Sequence, residues 1–568
     1  MSKKHKNASE AIVEPRFLTG YRPYAGLLLL AVIIYTHTLF FGFTYLDDNT
    51  LILDNFHFLG DMSNFFKAFQ RDVFLNAASE AYYRPLMTVS LMVDARFGGT
   101  SPFFYHLTNI LLHFASSCLI FVFLRRLGYE KFPVFLCSAF FAVHPALCQA
   151  VAWIPGRNDS LLAVFIVLSF IFFIDYIASR KQGHLAAHLL FFTLALFTKE
   201  TAVALLILCP FYMLLIAPKR IFAAHNLTLF LGWAATVCVW FILRKMAFSH
   251  PIAYTPEYML RSLVSNLPAV FLYIGKLLFP FNLSVLPILR NNTLIYGYAA
   301  VASVLILFCF SKNTSRSRVA FGMLWFLIFL LPGFIRPNPD LPADFIEHRM
   351  YVPALGLLIF LLETARIKDA VFGKNPTTFL AAGILGLFSF LNISHSGNFK
   401  DSSAFWENAA AHSPQYPLAR RNLGAMYYLK GETDKAEKEY LECVKLNPAE
   451  PMVHNNLGLI YMDSGRLAKA EAEFLSELRY NPNYDTAYYN LGLLYARQGK
   501  MQQAVGLWMK TLEINPHYFG AYNQLGIFFY NIKDFKKAAF YVSEAQKRNG
   551  QILPELLKAM EPFLIPRD

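Results

Sequence analysis

The sequence predicts an all-α protein in two parts, a polytopic membrane domain followed by an α-solenoid. Three observations carry that prediction. The 568 residues are 56% hydrophobic and only 16% charged, with 56 Phe and a mean hydropathy of +0.38, well away from an ordinary soluble domain. Apolar segments recur from residue 24 to residue 395 and then stop. Beyond them the composition turns polar and one pattern returns every 34 residues. The expected division is a cytoplasmic N-terminus at 1–23, a membrane domain at 24–397 and an exported repeat domain at 398–568.

Candidate spans are 24–44, 102–124, 133–150, 159–177, 185–198, 201–217, 226–243, 267–283, 295–310, 319–334, 351–364 and 377–395. Each is near or somewhat under the roughly 20 residues that a bilayer needs. The first follows the basic MSKKHKNASE and lacks a small-residue cleavage pattern, so it is expected to be an uncleaved span, not a signal peptide. The net charge of +13 is gathered in short patches between spans: RRLGYEK at 125–131, SRKQGH at 179–184, PKR at 218–220, SKNTSRSR at 311–318 and ARIKDAVFGK at 365–374. That distribution predicts cytoplasmic anchoring on anionic lipid; no nucleic-acid motif is present, so nucleic acid is excluded as a partner. The opposite, exported side then receives the 45–101 loop, the turn HPALCQAVAWIPGRNDS, TKE at 198–200 and RPNPDLPADFIEHRMY at 336–351. Twelve spans would return the chain to the cytoplasm, whereas the flanks of the last span place its end outside, so 11 or 13 spans are expected. The seven Cys have neither CxxC nor metal-ligand spacing and are expected to be buried small hydrophobes.

The repeat is carried by Asn422-Leu423-Gly424, Asn456-Leu457-Gly458, Asn490-Leu491-Gly492 and Gln524-Leu525-Gly526. Ala436, Ala470, Ala504 and Ala538 keep the same step, as do Pro414, Pro448, Pro482 and Pro516, while Gly431, Gly465 and Gly499 mark turns. Small residues at these places let two antiparallel helices touch, and the pattern is that of four tetratricopeptide repeats, preceded by a partial unit at FWENAAAHSP. The stack predicts a concave surface for a peptide or protein, to which Tyr427, Tyr461, Asn490, Tyr495, Asn523 and Tyr530 could contribute.

Polar residues of the membrane domain collect at the exported edge, which favours chemistry at an interface over transport through mid-span sites. Asp47 and Asp48, in YLDDNTLILDN, form a carboxylate pair suited to a general base, to orienting an acceptor or to a divalent cation, with Asp48 the preferred base. Arg84, in the aromatic YYRPL, could grip a phosphate in bidentate fashion or pair with Glu80. His106, Asn109 and His113 share one helix face and are expected to serve structural hydrogen bonding. In the next exported turn, His144 and Trp153 precede Gly156, which is expected to give the backbone freedom there, while Arg157 and Asp159 orient each other or a phosphate-bearing ligand. Lys199 and Arg349 are further phosphate-binding candidates, with Glu347 and Tyr351 in support.

These segments, YLDDNTLILDN, YYRPL, YHLTNILLH, HPALCQAVAWIPGRNDSLLA, LFTKE, KLLFPFNLS and EHRMYVP, followed by the repeats, resemble the transmembrane and tetratricopeptide-repeat O-mannosyltransferases. More widely they resemble GT-C glycosyltransferases. The resemblance implies a GT-C-like membrane domain and transfer of a sugar from a polyprenyl-phosphate donor to an exported acceptor, in the first instance a protein hydroxyl held by the repeats. It implies catalytic work for Asp47 or Asp48 and donor-phosphate binding by Arg84, Lys199 and Arg349, to which the residue pattern of its own turn adds Arg157. The sequence departs from the family's last motif at EHRMY, which leaves the roles of His348 and Arg349 open. No cofactor is singled out, a divalent metal staying open as an alternative, and the lipid-linked sugar is a substrate. The competing readings are a non-catalytic membrane scaffold and a lipid-linked sugar transporter. The expected location is a bacterial inner membrane with periplasmic repeats, or an endoplasmic reticulum membrane with lumenal repeats.

Overall fold

The computed structural model describes residues 15–75, 82–218, 226–248, 255–311, 314–335, 345–368, 370, 372 and 376–564. MSKKHKNASE, Glu80 and the 336–344 part of the last exported loop lie outside the described residues. Every described element is helical. The chain divides into two compact units, Met1–Ser413 and Pro414–Asp568.

In the first unit, Arg22–Phe40, Pro102–Arg126, Ile154–Ser179, Asn226–Ala247, Arg316–Phe334 and Thr378–Phe399 are long and apolar enough to cross a membrane. This is an integral membrane protein with multiple spans. Lys131–Val143 and Pro145–Ala152 form a further pair bent by 57°, and shorter apolar helices run Gln182–Thr198, Glu200–Leu215, Ala269–Leu278, Ile295–Cys309 and Pro353–Leu362. The bend has a local cause. Pro145 forces the preceding His144 out of helical geometry, and His144 adopts φ −67°, ψ 120° while its Nδ1 accepts from Ala146 N.

Hydrocarbon offers no hydrogen bonds, so polar groups inside these helices must find protein partners. They do so across long stretches of sequence. Asn392 donates to Tyr35 Oη and to the Val143 carbonyl, and His188 joins Ser169 to Trp233. Between Arg316–Leu330 and Pro353–Leu362 the contact is backbone on backbone: a methyl group added at Gly322 would stand 2.7 Å from the Gly356 carbonyl oxygen.

The helix Ser402–His412 carries most of FWENAAAHSP and belongs to the first unit, not to the repeats. Its Phe405 and Trp406 are buried, Asn408 Oδ1 accepts from Val285 N, and Ser413 Oγ donates to the Leu286 carbonyl.

The second unit contains four helix pairs, Pro417–Leu429 with Thr433–Leu446, Val453–Asp463 with Leu467–Tyr480, Asp485–Arg497 with Met501–Ile514, and Phe519–Asn531 with Phe535–Lys547, followed by the short helix Pro554–Met560. The periodic Ala436, Ala470, Ala504 and Ala538 are fully buried. A methyl at Gly424, Gly458 or Gly492 would fall within 2.7 Å of Tyr440, Phe474 or Trp508 of the paired helix. Gly431, Gly465 and Gly499 hold the inter-helix turns at positive φ. In the fourth repeat that place is taken by Lys533, at φ 63°, where an L-residue with a Cβ is strained.

Lys533→Gly is therefore expected to stabilise the last repeat by about 1 kcal/mol, and Gly492→Ala to destabilise its repeat by about 1–3 kcal/mol. Hydrogen exchange of the repeat helices in the full-length protein checks both signs.

Candidate functional site

One polar cavity of the first unit, of about 230 Å³, gathers residues from six separate parts of the sequence. Its charged lining consists of the carboxylates Asp47, Asp159 and Glu200 and the cations Arg84, Lys199 and Arg349, with His348 and Trp153 beside them. The opposite signs match in number, which is how such a group can exist next to apolar helices.

Asp47 reaches the cavity through an unusual backbone. Tyr45 takes φ 57°, a left-handed conformation that a bulky residue rarely adopts, and Asn49–Leu53 follows as a π-helical turn. Asp48, in contrast, is turned inward and 1% exposed. Its Oδ2 accepts from Thr44 N at 2.7 Å and Thr44 Oγ1 at 2.5 Å, and the Trp153 indole N–H donates to Thr44 Oγ1 at 3.0 Å. Burial raises the Asp48 carboxyl to about 6, against the hydrogen bonds from Thr44 that pull it down. Of the two carboxylates it is Asp47, and not the preferred Asp48, that lines the cavity, after the left-handed Tyr45 and before the π-turn.

Arg84 stands at the N-terminus of helix Pro85–Gly98 and makes a bidentate pair with Glu200, Nε to Oε2 at 3.1 Å and Nη2 to Oε1 at 2.6 Å. Its guanidinium also lies over the Tyr82 ring. Lys199, in extended backbone where helix Gln182–Thr198 ends, donates to both oxygens of Asp159 at 2.8 Å and to Asn158 Oδ1 at 3.3 Å. Burial lowers the Lys199 ammonium and Arg84 adds to the shift, while Asp159 opposes it. His348 places Nε2 3.6 Å from Asp159 Oδ2, and its ring tilts over Trp153 at 5.4 Å. Burial, then the charges of Lys199, Arg349 and Arg84, push it well below the usual histidine range, so His348 is neutral at pH 7.

Several sequence-predicted residues lie elsewhere. Arg157 is fully buried and engaged on all sides: with Asp94 at 2.5 Å, Asn109 Oδ1 at 2.7 Å and the Tyr105 carbonyl at 2.6 Å. It ties three helices together and does not line the cavity, contrary to the expectation of phosphate binding. Asn109 also donates to the Val151 carbonyl. His113 bridges Tyr351 Oη at 2.7 Å and the Ala142 carbonyl at 2.9 Å, so Tyr351 lies in this buried network. His106 packs its ring against Phe41, and His144 meets the Leu277 carbonyl at 2.8 Å. Glu347 is buried behind the cavity between Lys276 and His395. Gly156 has φ −61°, which any residue can adopt. Glycine is required there by space, since a methyl would fall 2.5 Å from the Gln149 carbonyl oxygen. Among the described residues, no group of three or more His, Cys, Asp or Glu side chains is placed to hold a metal ion.

Sequence reasoning missed Thr44, Lys276, His395 and the pairing partner Glu200. A lone cation in AVFLYIGKLL and a lone histidine ending the last apolar segment were the available signals.

The repeats match two family models, "Tetratricopeptide repeat" over residues 455–519 and "TPR repeat" over residues 424–465. Protein O-mannosyl-transferase Tmtc1 of Drosophila melanogaster is 34% identical over 188 residues, 33% of this chain and 22% of that one. Protein O-mannosyl-transferase TMTC2 of Homo sapiens is 33% identical over 154 residues, 27% of this chain and 18% of that one. A longer alignment, 24% identical over 465 residues, joins 76% of this chain to 63% of protein O-mannosyl-transferase F38B6.6 of Caenorhabditis elegans. The chain is thus similar, over parts of its length, to proteins named as O-mannosyl-transferases. It matches about a fifth of the length of its first-ranked curated relatives.

A raised acid favours the folded state when protonated, so the contribution of Asp48 to stability falls as pH rises from about 4 to about 6. Asp48→Asn is expected to remove a pH-dependent term of roughly 3 kcal/mol between pH 4 and pH 7. Thermal unfolding of both proteins across that range measures it.

Proposed function

We propose that the protein is a membrane glycosyltransferase of the GT-C type, moving a sugar from a polyprenyl-phosphate donor to the hydroxyl of a protein acceptor. The observation that carries this reading is Asp47 on the wall of a cavity shared with Arg84, Lys199 and Arg349. The relatives named as O-mannosyl-transferases support mannose as the sugar.

The chemistry needs one base and one anion site. Asp47 accepts the proton of the acceptor hydroxyl as its oxygen attacks the anomeric carbon. The bond from that carbon to the phosphate oxygen breaks, and polyprenyl phosphate leaves with the electron pair. A single displacement inverts the anomeric centre and forms no covalent intermediate on the enzyme, by the same logic that separates inverting from retaining glycosidases. Arg84 uses Nε and Nη2 on Glu200, so its Nη1 edge remains for a phosphate oxygen. Lys199, held by Asp159, and Arg349 supply further positive charge against the leaving group. Apolar helices around the cavity keep the lipid tail in hydrocarbon while the phosphate sits at the edge.

In this reading the cavity faces the exported side, periplasmic in a bacterium or lumenal in the endoplasmic reticulum, and the basic loops face the cytoplasm. A GT-C-like domain that begins at residue 24 and a repeat arm that presents the acceptor belong to the same proposal, with the boundary between them at Ser413 and Pro414 in place of 397 and 398.

With polyprenyl-phosphate mannose and an acceptor peptide in purified membranes, Asp47→Asn is expected to lower transfer about 10²- to 10⁴-fold without loss of protein. Asp48→Asn is expected to retain most transfer. Full transfer by Asp47→Asn would refute the assignment, and movement of the lipid-linked sugar across the bilayer with no product bond would favour a transporter.

A further inference from the structure

Glu347 does no chemistry in this scheme, yet its carboxylate meets three separate partners beside the cavity. Its side chain is fully buried. Oε1 accepts from Lys276 Nζ at 2.5 Å and from Ser284 N at 2.8 Å, and Oε2 lies 2.9 Å from His395 Nε2. His395 Nδ1 faces the Asn398 amide nitrogen at 3.2 Å and accepts from it, so Nε2 carries the proton and donates to Glu347. Lys276 comes from helix Ala269–Leu278 and His395 from the end of helix Pro376–Ser396. Burial opposes the charge on Glu347, but Lys276 and His395 hold its carboxyl down to about 2.

The next two residues are His348 and Arg349, both on the cavity wall. They sit on a 3-10 turn of four residues, Glu347–Met350, and a turn that short has little stability of its own. A second anchor reinforces the first: His348 N donates to Gln149 Oε1 at 3.1 Å, and Gln149 Nε2 donates to the Val285 carbonyl at 3.0 Å. A buried ion pair is seldom more stable than apolar residues of the same volume, so stability alone does not account for three polar side chains meeting here. A buried carboxylate does, however, have one place to be, because every alternative leaves it unpaired.

We propose that Glu347, Lys276 and His395 form a positioning clamp for donor binding, holding the Glu347–Met350 turn so that His348 and Arg349 meet the sugar phosphate. The clamp rests on the reading of the cavity as the donor site. None of its three residues touches donor or acceptor. They act by fixing where their neighbours stand, and displacement of a binding group by about 1 Å can lower a rate about 100-fold.

The test uses the full-length protein in phospholipid nanodiscs with two readouts, hydrogen exchange over residues 347–351 and steady-state transfer from polyprenyl-phosphate mannose. Lys276→Met is expected to speed exchange in that turn about tenfold or more and to raise the donor KM about tenfold, with kcat changed less than about threefold. Exchange in the repeat helices stays as in the parent. His395→Gln, which keeps the Lys276–Glu347 pair, shifts both readouts the same way by a smaller factor. The double variant Lys276→Gln, Glu347→Gln keeps a hydrogen bond without buried charge and restores both readouts to within about threefold. Parental exchange and parental KM in Lys276→Met would overturn the clamp. So would a double variant as impaired as the single one, since charge and not placement would then matter. If the parent protein consumes no polyprenyl-phosphate mannose, the proposed function fails, and the exchange readout still decides the clamp.

Discussion

A charge placed among apolar helices has to be met by an opposite charge or by several hydrogen bonds, and the membrane unit is organised by that requirement. Arg157 with Asp94, Lys276 with Glu347, Lys199 with Asp159 and Arg84 with Glu200 each join segments distant in sequence. The first two are closed off from solvent and serve as joints. The other two stand at the cavity, where a ligand can share in them. One physical rule thus yields both the scaffold and the site, and the difference between them is access.

The repeat unit is built on another basis. Its helices bury alanine and large aromatic residues against glycine, and several of its ion pairs, such as Lys445 with Glu442 and Lys510 with Glu513, lie at the surface. Surface pairs contribute little. Each pair of helices packs chiefly on its neighbours in sequence, so the stack is stabilised locally and can be lengthened or shortened without rebuilding a common core.

That contrast explains what could be read from the sequence. The four repeats were legible because glycine, alanine and proline recur at one interval and act within it. The apolar helices were legible because length and composition suffice. The cavity was legible only in part: Asp47, Arg84, Asp159, Lys199 and Arg349 stood out as charges beside apolar segments, and they do converge. Arg157 had the same signature but a different fate, because Asp94, Asn109 and the Tyr105 carbonyl enclose it, and nothing local announces that enclosure. The choice between Asp47 and Asp48 turned on the φ of Tyr45 and a π-turn, which tertiary packing imposes and no periodicity reveals. FWENAAAHSP looked like a repeat fragment because helices of both units share its composition, whereas its contacts run to Val285 and Leu286.

The joint around Glu347 also sets an order of events during synthesis. Lys276 is made 71 residues before Glu347, and His395 follows Glu347 by a further 48. A chain that has laid down Asp47, Arg84, Asp159 and Lys199 already holds much of the cavity lining, and Lys276, Ser284 and Gln149 are in place before the turn bearing His348 and Arg349, but the partner of Glu347 Oε2, His395, comes last. The joint is therefore complete only when the whole membrane unit is present, since its last member, His395, lies at the end of the last apolar helix.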